Sequence, residues 1–358
     1  MKKILFFIPF GLKTSGGAER VLSIIANSLV KEKICKVDII SYEKTESFYN
    51  LSPEINLLSL NFKNSKNFFL RKIKPLYLLK NLRMVIVKNQ YTHIVALGDD
   101  ATILTSMIFI KKIKKISWIH NSIFQETYIV LKILRTIAYI FMEKIIILNT
   151  TDKKIYEKKY GKKVELIPNP IILKNSEENN IKENKTILCV GRLSKVKAFD
   201  QAIFAFSKIE KKYPDWKLKI IGKDEGEKIY LSNLIKKLNI KNCQIENEVQ
   251  NIDEEYRKSD ILLVTSLYEC FSMVILEAKK FNLAIISFDC NSGPRDLVKN
   301  NFNGFLIKNR NIDDLTDKLE FLISNPEKLK EFKLNSKKDL ENYNIEKIID
   351  KWENNILI

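Results

Sequence analysis

The sequence predicts an α/β protein built from two doubly wound domains in series, and three observations support this fold class. The chain has 358 residues, which is enough for two domains. Short apolar runs alternate with segments of helical periodicity, a pattern typical of parallel strands covered by helices on both faces. The alternation stops at a polar segment near the middle of the chain and then starts again. We therefore expect an N-terminal domain over residues 1–168 and a C-terminal domain over residues 186–340.

The first predicted domain begins with a strand at Lys3–Phe10 and a helix at Ala18–Lys31, where apolar residues recur with a helical period. Five further apolar runs predict strands in this domain. They are Val37–Ser41, His93–Leu97, Ile116–His120, Ile145–Leu148 and Val164–Ile167. Helices are expected between them, because parallel strands need long crossover connections.

Residues 169–185 lack periodicity and are rich in Pro, Asn, Glu and Lys, which is typical of a linker. The strands predicted after it are Thr186–Val190, Trp216–Ile221, Ile261–Val264 and Leu283–Phe288. The helices predicted there are Asp200–Lys212, Tyr230–Leu238, Phe271–Phe281 and Asp313–Ser324. We expect residues 341–358 to form a helix that packs back toward the N-terminal domain. Because ligands of doubly wound sheets bind at the carboxyl ends of the strands, two such domains facing across a cleft suggest an interdomain active site.

Nearly all of the net positive charge lies in the first half. The whole chain has 61 Lys and Arg against 43 Asp and Glu, a formal net charge of +18. Residues 1–174 have 30 basic and 13 acidic residues, which leaves +17 in that half. A coding bias toward Lys would load both halves equally. The asymmetry therefore predicts an anionic partner for the first domain, such as a membrane surface, a phosphate-bearing lipid or a nucleic acid.

The segment from Phe62 to Lys88 interleaves basic and apolar residues at near-helical spacing. This pattern suits a surface helix that rests on anionic headgroups. It suits equally well an ordinary helix with one core face and one solvated face. The lysine cluster at residues 111–115 precedes a predicted strand and is consistent with a solvated turn.

The composition argues against a metal site, a cleaved leader and a membrane span. The five cysteines are scattered without a C-x-x-C pair, and the chain has two histidines, so we expect reduced thiols and no zinc. The opening MKKILFFIPFG is too quickly followed by polar residues to be a signal peptide, and no apolar run reaches about 18 residues. We therefore expect a cytoplasmic protein.

The segment Ser266–Lys279 contains two glutamates at informative positions. Glu269 lies in the turn after the predicted strand Ile261–Val264, and Glu277 lies about two turns into the following helix. Free backbone N–H groups at a helix start bind anions, here those of Cys270, Phe271, Ser272 and Met273. We interpret Glu269 as an acceptor for sugar hydroxyls while this backbone holds a phosphate. A carboxylate that only stabilises the helix dipole is the alternative.

Two further segments follow predicted strands. In VGRLSKVKA, Gly191 follows a buried strand, and Arg192 and Lys197 stand five residues apart, so the two cations could grip a diphosphate. A solvated loop is the alternative. The pair Gly16 and Gly17, between the first strand and the first helix, would let the backbone approach a ligand closely, although a tight turn fits equally well.

Together these segments resemble those of the family 4 glycosyltransferases, which have the GT-B fold. The matching motifs run over nearly the whole chain: SGGAERV, IPNP, VGRL with a lysine five residues after its arginine, Glu-x7-Glu, SGPRDLV and NGFLI. The stretch SGPRDLVKNNFNG is most similar to bacterial lipopolysaccharide and capsule hexosyltransferases, including the 1,6-galactosyltransferase of the lipopolysaccharide core.

The resemblance implies a retaining transfer of a hexose or N-acetylhexosamine from a nucleotide sugar, UDP-linked, to a growing lipopolysaccharide, capsule or lipid-linked glycan. By analogy with the family, Arg192 and Lys197 would hold the diphosphate, Glu277 the ribose and Glu269 the donor sugar. Gly16 and Gly17 would line the sugar from the facing domain. His120, in SWIHN, matches a histidine that relatives place near the donor sugar and acceptor. A satisfied strand-end histidine is the alternative.

We expect catalysis without a metal or a cofactor other than the donor. Two cations and a helix N-terminus supply the charge stabilisation that Mg²⁺ would otherwise give to a leaving diphosphate. No carboxylate stands out as a covalent nucleophile, so we favour attack on the front face with the leaving phosphate as base. Relatives usually have Gly where this chain has Cys270 and Ala198, which predicts a slightly displaced phosphate loop. At Asn247-Glu248-Val249 the family often has a Gly beside the base, so base recognition stays open.

Three other functions compete with this interpretation. A nucleotide-sugar epimerase shares the two-domain architecture but would need more acid/base carboxylates and histidines in the cleft. A nucleic-acid-binding protein is disfavoured, because the basic half has no recognised binding motif. A catalytically silent partner subunit is the third. We expect instead an enzyme at the inner face of the cytoplasmic membrane, where the basic first domain would meet an anionic surface and its glycolipid acceptor.

Overall fold

The chain folds as two units, and the second interrupts the first in sequence. Unit 1 comprises Met1–Pro170 and Ile345–Ile358, and unit 2 comprises Ile171–Asn344. The computed structural model describes residues 2–14, 16–44, 46–62, 68–125, 127–173, 184–308 and 310–357, with only the backbone described for residues 68–74. Of the predicted linker 169–185, residues 171–173 already belong to unit 2, and residues 174–183 lie outside the described residues.

Unit 1 contains a seven-stranded parallel sheet in the order β3-β2-β1-β4-β5-β6-β7. Its strands are β1 (Lys3–Phe7), β2 (Lys36–Ser41), β3 (Asn56–Ser59), β4 (His93–Leu97), β5 (Lys114–Trp118), β6 (Lys144–Ile147) and β7 (Val164–Leu166). Its described helices are α1 (Gly17–Lys31), α2 (Phe68–Asn89), α3 (Asp99–Ser106), α4 (Ile129–Ile140), α5 (Thr150–Tyr160) and, from the second part of the unit, α13 (Ile345–Ile356).

Unit 2 contains a six-stranded parallel sheet in the order β10-β9-β8-β11-β12-β13. Its strands are β8 (Thr186–Val190), β9 (Lys217–Ile221), β10 (Cys243–Glu246), β11 (Ile261–Val264), β12 (Ala284–Asp289) and β13 (Gly304–Lys308). Its described helices are α6 (Phe199–Ile209), α7 (Lys228–Lys237), α8 (Ile252–Arg257), α9 (Met273–Lys280), α10 (Pro294–Leu297), α11 (Ile312–Ser324) and α12 (Pro326–Ser336).

The central strands are apolar because both of their faces are covered. Every residue of β4 and of β11 is buried, which is the pattern of parallel strands under two helical layers. Helix α13 completes the core of unit 1. Its Trp352 ring lies 4.9 Å from the ring centroid of Trp118 on β5 and 5.8 Å from that of Phe6 on β1.

Three strands that the apolar runs did not predict, β3, β10 and β13, extend the sheets. Strand β3 has the sequence NLLS, β10 has CQIE, and none of their residues is fully buried, because each strand lies at a sheet edge. Polar residues tolerated at an edge break the apolar pattern that marks a central strand. In unit 1, β5 ends at Trp118, two residues before the predicted end at His120.

The basic segment predicted to rest on anionic headgroups falls largely on α2. Lys63 and Lys66 lie outside the described residues. From Pro75 onward, Leu78, Leu82 and Ile86 pack in the core of unit 1, while Lys80 and Arg83 are exposed. The described part of α2 is therefore a domain helix with one core face, and its contact with a membrane stays a prediction. No helix among the described residues is both long and apolar enough to span a membrane.

Candidate active site

The candidate site of unit 2 lies at the carboxyl edge of its sheet, where the strand order changes direction. Strands β8, β9 and β10 follow one another toward one edge, and β11, β12 and β13 follow toward the other. The loops after the neighbouring strands β8 and β11 therefore leave the sheet in opposite directions and open a crevice. Ligands of doubly wound sheets bind at this switch point. The two loops contain Arg192, Lys197 and Glu269.

Lys197 and Glu269 form an ion pair across these two loops. The Lys197 ammonium donates to Glu269 Oε1 at 2.7 Å, and the two side chains are 19% and 10% exposed. Two backbone contacts fix the loops against each other. The Leu267 N–H donates to the Val196 carbonyl at 2.8 Å, and the Thr265 hydroxyl donates to the Lys197 carbonyl at 2.9 Å. The predicted diphosphate cation and the predicted sugar acceptor are thus direct neighbours.

Gly191 makes room for the Lys197 side chain. Its φ is +152°, outside the range that side chains favour, and a Cβ atom there would lie 3.0 Å from Lys197 Cε. The neighbouring loop after β9 is packed more tightly still, because a Cβ at Gly222 would lie 1.8 Å from the Gly191 carbonyl oxygen. Close packing of the two loops therefore requires a glycine after β9, whereas the backbone conformation and the adjacent Lys197 side chain favour the glycine after β8.

Arg192, the second predicted diphosphate ligand, is held by a carboxylate that the sequence did not single out. Its Nη1 donates to both oxygens of Glu225, at 2.9 and 3.0 Å. Glu225 belongs to the loop after β9, and the pair is solvent-accessible, with Arg192 61% exposed. Both predicted cations are thus neutralised by protein carboxylates, Lys197 by Glu269 and Arg192 by Glu225.

Helix α9 begins at Met273, two residues later than the predicted start at Phe271. Cys270 and Phe271 therefore lie in the turn before the helix, and Ser272 occupies the N-cap position without a side-chain capping bond. The first N–H groups of any helix lack intrahelical acceptors. The N–H groups at the start of α9, from Met273 onward, are therefore potential hydrogen-bond donors to an anion. Among the described residues, the buried Ser272 hydroxyl has no partner.

The turn before α9 is supported by the segment after β12. The Ser292 hydroxyl donates to the Glu269 carbonyl at 2.6 Å. A Cβ at Gly293 would lie 2.9 Å from the Cys270 carbonyl oxygen, so this glycine allows close packing of the two segments. The SGPR sequence therefore positions the backbone around Glu269. Sequence reasoning noted this segment but gave it no role.

Glu277, predicted to bind a ribose, is a buried carboxylate on α9. It is 6% exposed and accepts a hydrogen bond of 2.8 Å from the hydroxyl of Tyr256, which is fully buried on α8. Burying a carboxylate is costly unless hydrogen bonds compensate. Tyr256 supplies one such bond, a role that its position in the sequence did not indicate.

Ala198 occupies a backbone conformation that glycine prefers. Its φ and ψ are +46° and +47°, the left-handed region, at the N-cap of α6. The sequence comparison with glycosyltransferases predicted a displaced loop at this alanine. The alanine adopts a left-handed conformation that glycine takes without strain, at a cost of about 1–2 kcal/mol, and the displacement of the loop stays a prediction.

The predicted residues of unit 1 lie at the carboxyl edge of its own sheet. Gly16 is the N-cap of α1 with a φ of −65°, and Gly17 is the first helical residue, so neither needs the left-handed region. His120 lies two residues after β5, with its ring centroid 4.6 Å from that of Trp118. Among the described residues, its buried Nε2 atom has no partner, and burial lowers the pKa of His120 to about 3. His120 is therefore neutral and is not a fully satisfied histidine.

Known proteins are similar to this chain over its whole length. A family model described as glycosyl transferases group 1 matches residues 172–339. An uncharacterized glycosyltransferase of Haemophilus influenzae is 32% identical over 99% of both chains. The amylovoran biosynthesis glycosyltransferase AmsD of Erwinia amylovora is 29% identical over 100% of both. A Campylobacter jejuni alpha-1,4-N-acetyl-D-galactosaminyltransferase, named for a GalNAc-GalNAc-diNAcBac-PP-undecaprenol acceptor, is 28% identical over 98% of this chain and 97% of its own.

Solved structures share the fold. Staphylococcus aureus TarM in a complex containing UDP has a TM-score of 0.81 at 15% identity, covering 99% of both chains. HepE of Anabaena in complex with UDP-glucose has a TM-score of 0.81 at 17% identity, covering 98% of both. The lipopolysaccharide outer core galactosyltransferase WaaB has a TM-score of 0.76 at 20% identity, covering 99% of both.

These similarities confirm the predicted fold class, because two parallel doubly wound units of this kind are the fold of the GT-B glycosyltransferases. The 32% identity over nearly the whole chain shows more: the chain belongs to the glycosyl transferases group 1 family and is a glycosyltransferase.

Proposed function

We propose that this glycosyltransferase is a retaining, family 4 enzyme that moves a hexose or N-acetylhexosamine from a UDP-sugar to a growing, lipid-carried cell-surface glycan. The observation that carries the proposal is the Lys197–Glu269 pair at the switch point of unit 2, beside the start of α9. The UDP and UDP-glucose complexes of TarM and HepE support a UDP donor. The names of AmsD and of the Campylobacter jejuni relative support a cell-surface or undecaprenol-linked acceptor.

The ion pairs suggest how donor binding would prepare the site. The donor diphosphate would take Lys197 and Arg192 from their carboxylate partners, since phosphate oxygens are strong acceptors for both cations. Glu269 would then be free to accept hydrogen bonds from the sugar hydroxyls. The N–H groups at the start of α9 would contact the diphosphate, and Glu277 would bind the ribose. His120, Gly16 and Gly17 of unit 1 would contribute to the sugar and acceptor side.

In the proposed transfer, the bond between the anomeric carbon and the phosphate oxygen breaks, and its electron pair stays on the leaving diphosphate. The acceptor hydroxyl oxygen forms the new bond on the same face of the sugar, and its proton moves to the leaving phosphate oxygen. Lys197, Arg192 and the α9 N-terminus would stabilise the charge that develops on the phosphate, so we propose that no metal is needed.

The experiment that tests this function is a donor screen with the full chain. UDP- and GDP-linked hexoses and N-acetylhexosamines are offered with and without a lipid-linked acceptor, in the presence of EDTA, and release of the nucleotide is measured. We expect release from a UDP-sugar that rises with acceptor. NMR of the product should show the anomeric configuration of the donor; an inverted product contradicts the retaining mechanism.

Variants of the ion pair test the site. Lys197→Ala and Glu269→Ala should each lower turnover about a hundredfold or more, because each removes a preorganised group at the reacting charges. Lys208→Ala is the matched control, since Lys208 forms an exposed ion pair of 2.6 Å with Asp313 in the same unit. If the two site variants keep the turnover of the control, the site assignment is wrong.

A further inference from the structure

Helix α4 of unit 1 exposes a wholly apolar face. The exposed residues of this face are Ile129, Val130, Ile133, Leu134, Ile137 and Ile140, between 46% and 69% exposed. Tyr128 before the helix and Phe141 after it are 88% and 46% exposed. At 3.6 residues per turn the six residues of the helix face occupy one arc of about 140°, in which no polar residue falls. We call this surface the α4 face. A contiguous apolar patch of this kind marks a contact site.

The opposite side of α4 is firmly held in unit 1. Ala138 and Tyr139 are buried, and Arg135 donates to Asp99 Oδ2 at 3.1 Å, with both side chains largely buried. Asp99 is the first residue of α3 and follows β4 at the carboxyl edge of the sheet. The α4 face is therefore a fixed part of the surface, presented by a helix anchored near that edge.

Lysines border the α4 face on one flank and at the C-terminal end of the helix. Lys132 is exposed on the helix itself. The Lys159 ammonium donates to Thr136 Oγ1 at 3.2 Å, and the Lys163 ammonium donates to the Ile140 carbonyl at 2.7 Å. Lys115 lies 6.0 Å from the ring centroid of Phe141. These cations border the apolar surface on the flank and at the C-terminal end of the helix.

The positive border continues beyond the helix end. An open cavity of about 650 Å³ is lined by residues 108–115 and Glu143, and it includes four lysines against this one glutamate. One of the lining residues, Phe109, is 71% exposed, and its ring centroid lies 5.7 Å from the Lys115 ammonium. A phosphate-sized anion at this cavity would lie close to several cations and to exposed apolar side chains.

We propose that the α4 face inserts into the surface of an anionic bilayer, with its apolar side chains among the acyl chains and the bordering lysines at the lipid phosphates. An apolar arc bordered by lysines is the pattern of interfacial helices. A second copy of the chain fits less well, because pairing two α4 faces would bring two lysine borders together. The inference deepens the proposed function and rests on it, because an enzyme held at the membrane would meet an acceptor that is carried on lipid at that surface.

Vesicle binding of the full chain tests the proposal without any donor. Wild-type protein is sedimented with vesicles of phosphatidylcholine plus phosphatidylglycerol, and with phosphatidylcholine alone. We expect binding to the anionic vesicles that weakens in high salt. Ile133→Glu should weaken it about tenfold, since it removes one apolar side chain from the membrane and adds a negative charge. Ile229→Glu is the matched control, because Ile229 is 78% exposed on α7 of unit 2.

Each outcome decides the proposal. Equal binding of Ile133→Glu and Ile229→Glu, or no binding by wild type, overturns it. So does a wild-type dimer in sedimentation equilibrium that Ile133→Glu dissociates, since the α4 face would then join two copies. Circular dichroism and melting of both variants show whether they fold.

Tryptophan fluorescence tests whether α4 enters the lipid. In Ile133→Trp, fluorescence should shift to shorter wavelength on anionic vesicles and be quenched by brominated acyl chains, whereas Ile229→Trp should show neither change. The native Trp118, Trp216 and Trp352 are buried and provide a constant background.

Donor hydrolysis in the absence of lipid should be equal in wild type and Ile133→Glu. If wild type transfers no sugar but still binds vesicles through Ile133, the proposed function fails and the surface assignment stands.

Discussion

Both carboxylate oxygens of Glu225 accept hydrogen bonds from Arg192 Nη1, at 2.9 and 3.0 Å. A cation that is proposed to hold the donor diphosphate is therefore already paired within the protein. The pair is exposed, so it is weak, about 0.2–1 kcal/mol. A diphosphate can displace Glu225 at a small cost, and that cost enters the donor affinity.

Glu225→Gln should tighten UDP binding by up to about fivefold, because Arg192 no longer has to leave a carboxylate, a gain bounded by the strength of an exposed ion pair. Isothermal titration calorimetry with UDP measures the change. Asp313→Asn is the control, since it breaks the exposed Lys208 pair elsewhere in unit 2. Weaker binding in Glu225→Gln would mean that Glu225 positions Arg192 for the ligand rather than competing with it.

Ala198→Gly should raise the stability of the protein by about 0.5–1 kcal/mol, because a glycine adopts the left-handed backbone at this position without strain. Scanning calorimetry should show a melting temperature higher by a few degrees. Ala205→Gly is the control with the same chemical change inside α6, where the residue is buried, and it should be destabilising. A lower melting temperature for both variants would contradict the strain at Ala198.

His93→Gln should reduce the loss of stability in mild acid. Burial, with smaller effects of Lys114 and Lys2, lowers the pKa of His93 to about 4. The unfolded chain takes up this proton near its ordinary pKa of about 6.5, whereas the folded chain does so only near 4, so acid favours unfolding across that window. Wild type should lose about 1–2 kcal/mol more than His93→Gln between neutral pH and about pH 5. Denaturant titrations at both pH values measure it, and parallel losses would show that His93 is not responsible.

The central strands could be predicted from the sequence because burial on both faces demands apolar residues at every position. Strands β4, β8 and β11 begin and end at the predicted residues. The edge strands β3 and β10 could not, because a half-exposed strand accepts polar residues and its short pattern resembles a loop. Helix ends shifted by one to three residues, as at α9 and α6, where the last turn depends on packing rather than on periodicity.

The charged residues of the candidate site could be proposed from their positions after predicted strands, but their pairing could not. Strand adjacency brings the Lys197 and Glu269 loops together, and a sequence does not state which strands are neighbours. Arg192 pairs with Glu225 in a segment, KDEGEK, that offers several carboxylates on flexible side chains. The exposed α4 face was missed for another reason: an amphipathic helix shows where its apolar side lies, and only the packed structure shows that this side faces outward.

The last helix of unit 1 imposes an order on the folding of the two units during synthesis. Trp352 on α13 packs against Phe6 and Trp118, yet it leaves the ribosome after every residue of unit 2. Unit 2 is one continuous segment, so its core can close while the first unit still lacks a side chain at its centre. We expect the N-terminal sheet to wait, incompletely packed, until the C-terminal helix arrives, which makes the earliest-made half of this protein the last to be finished.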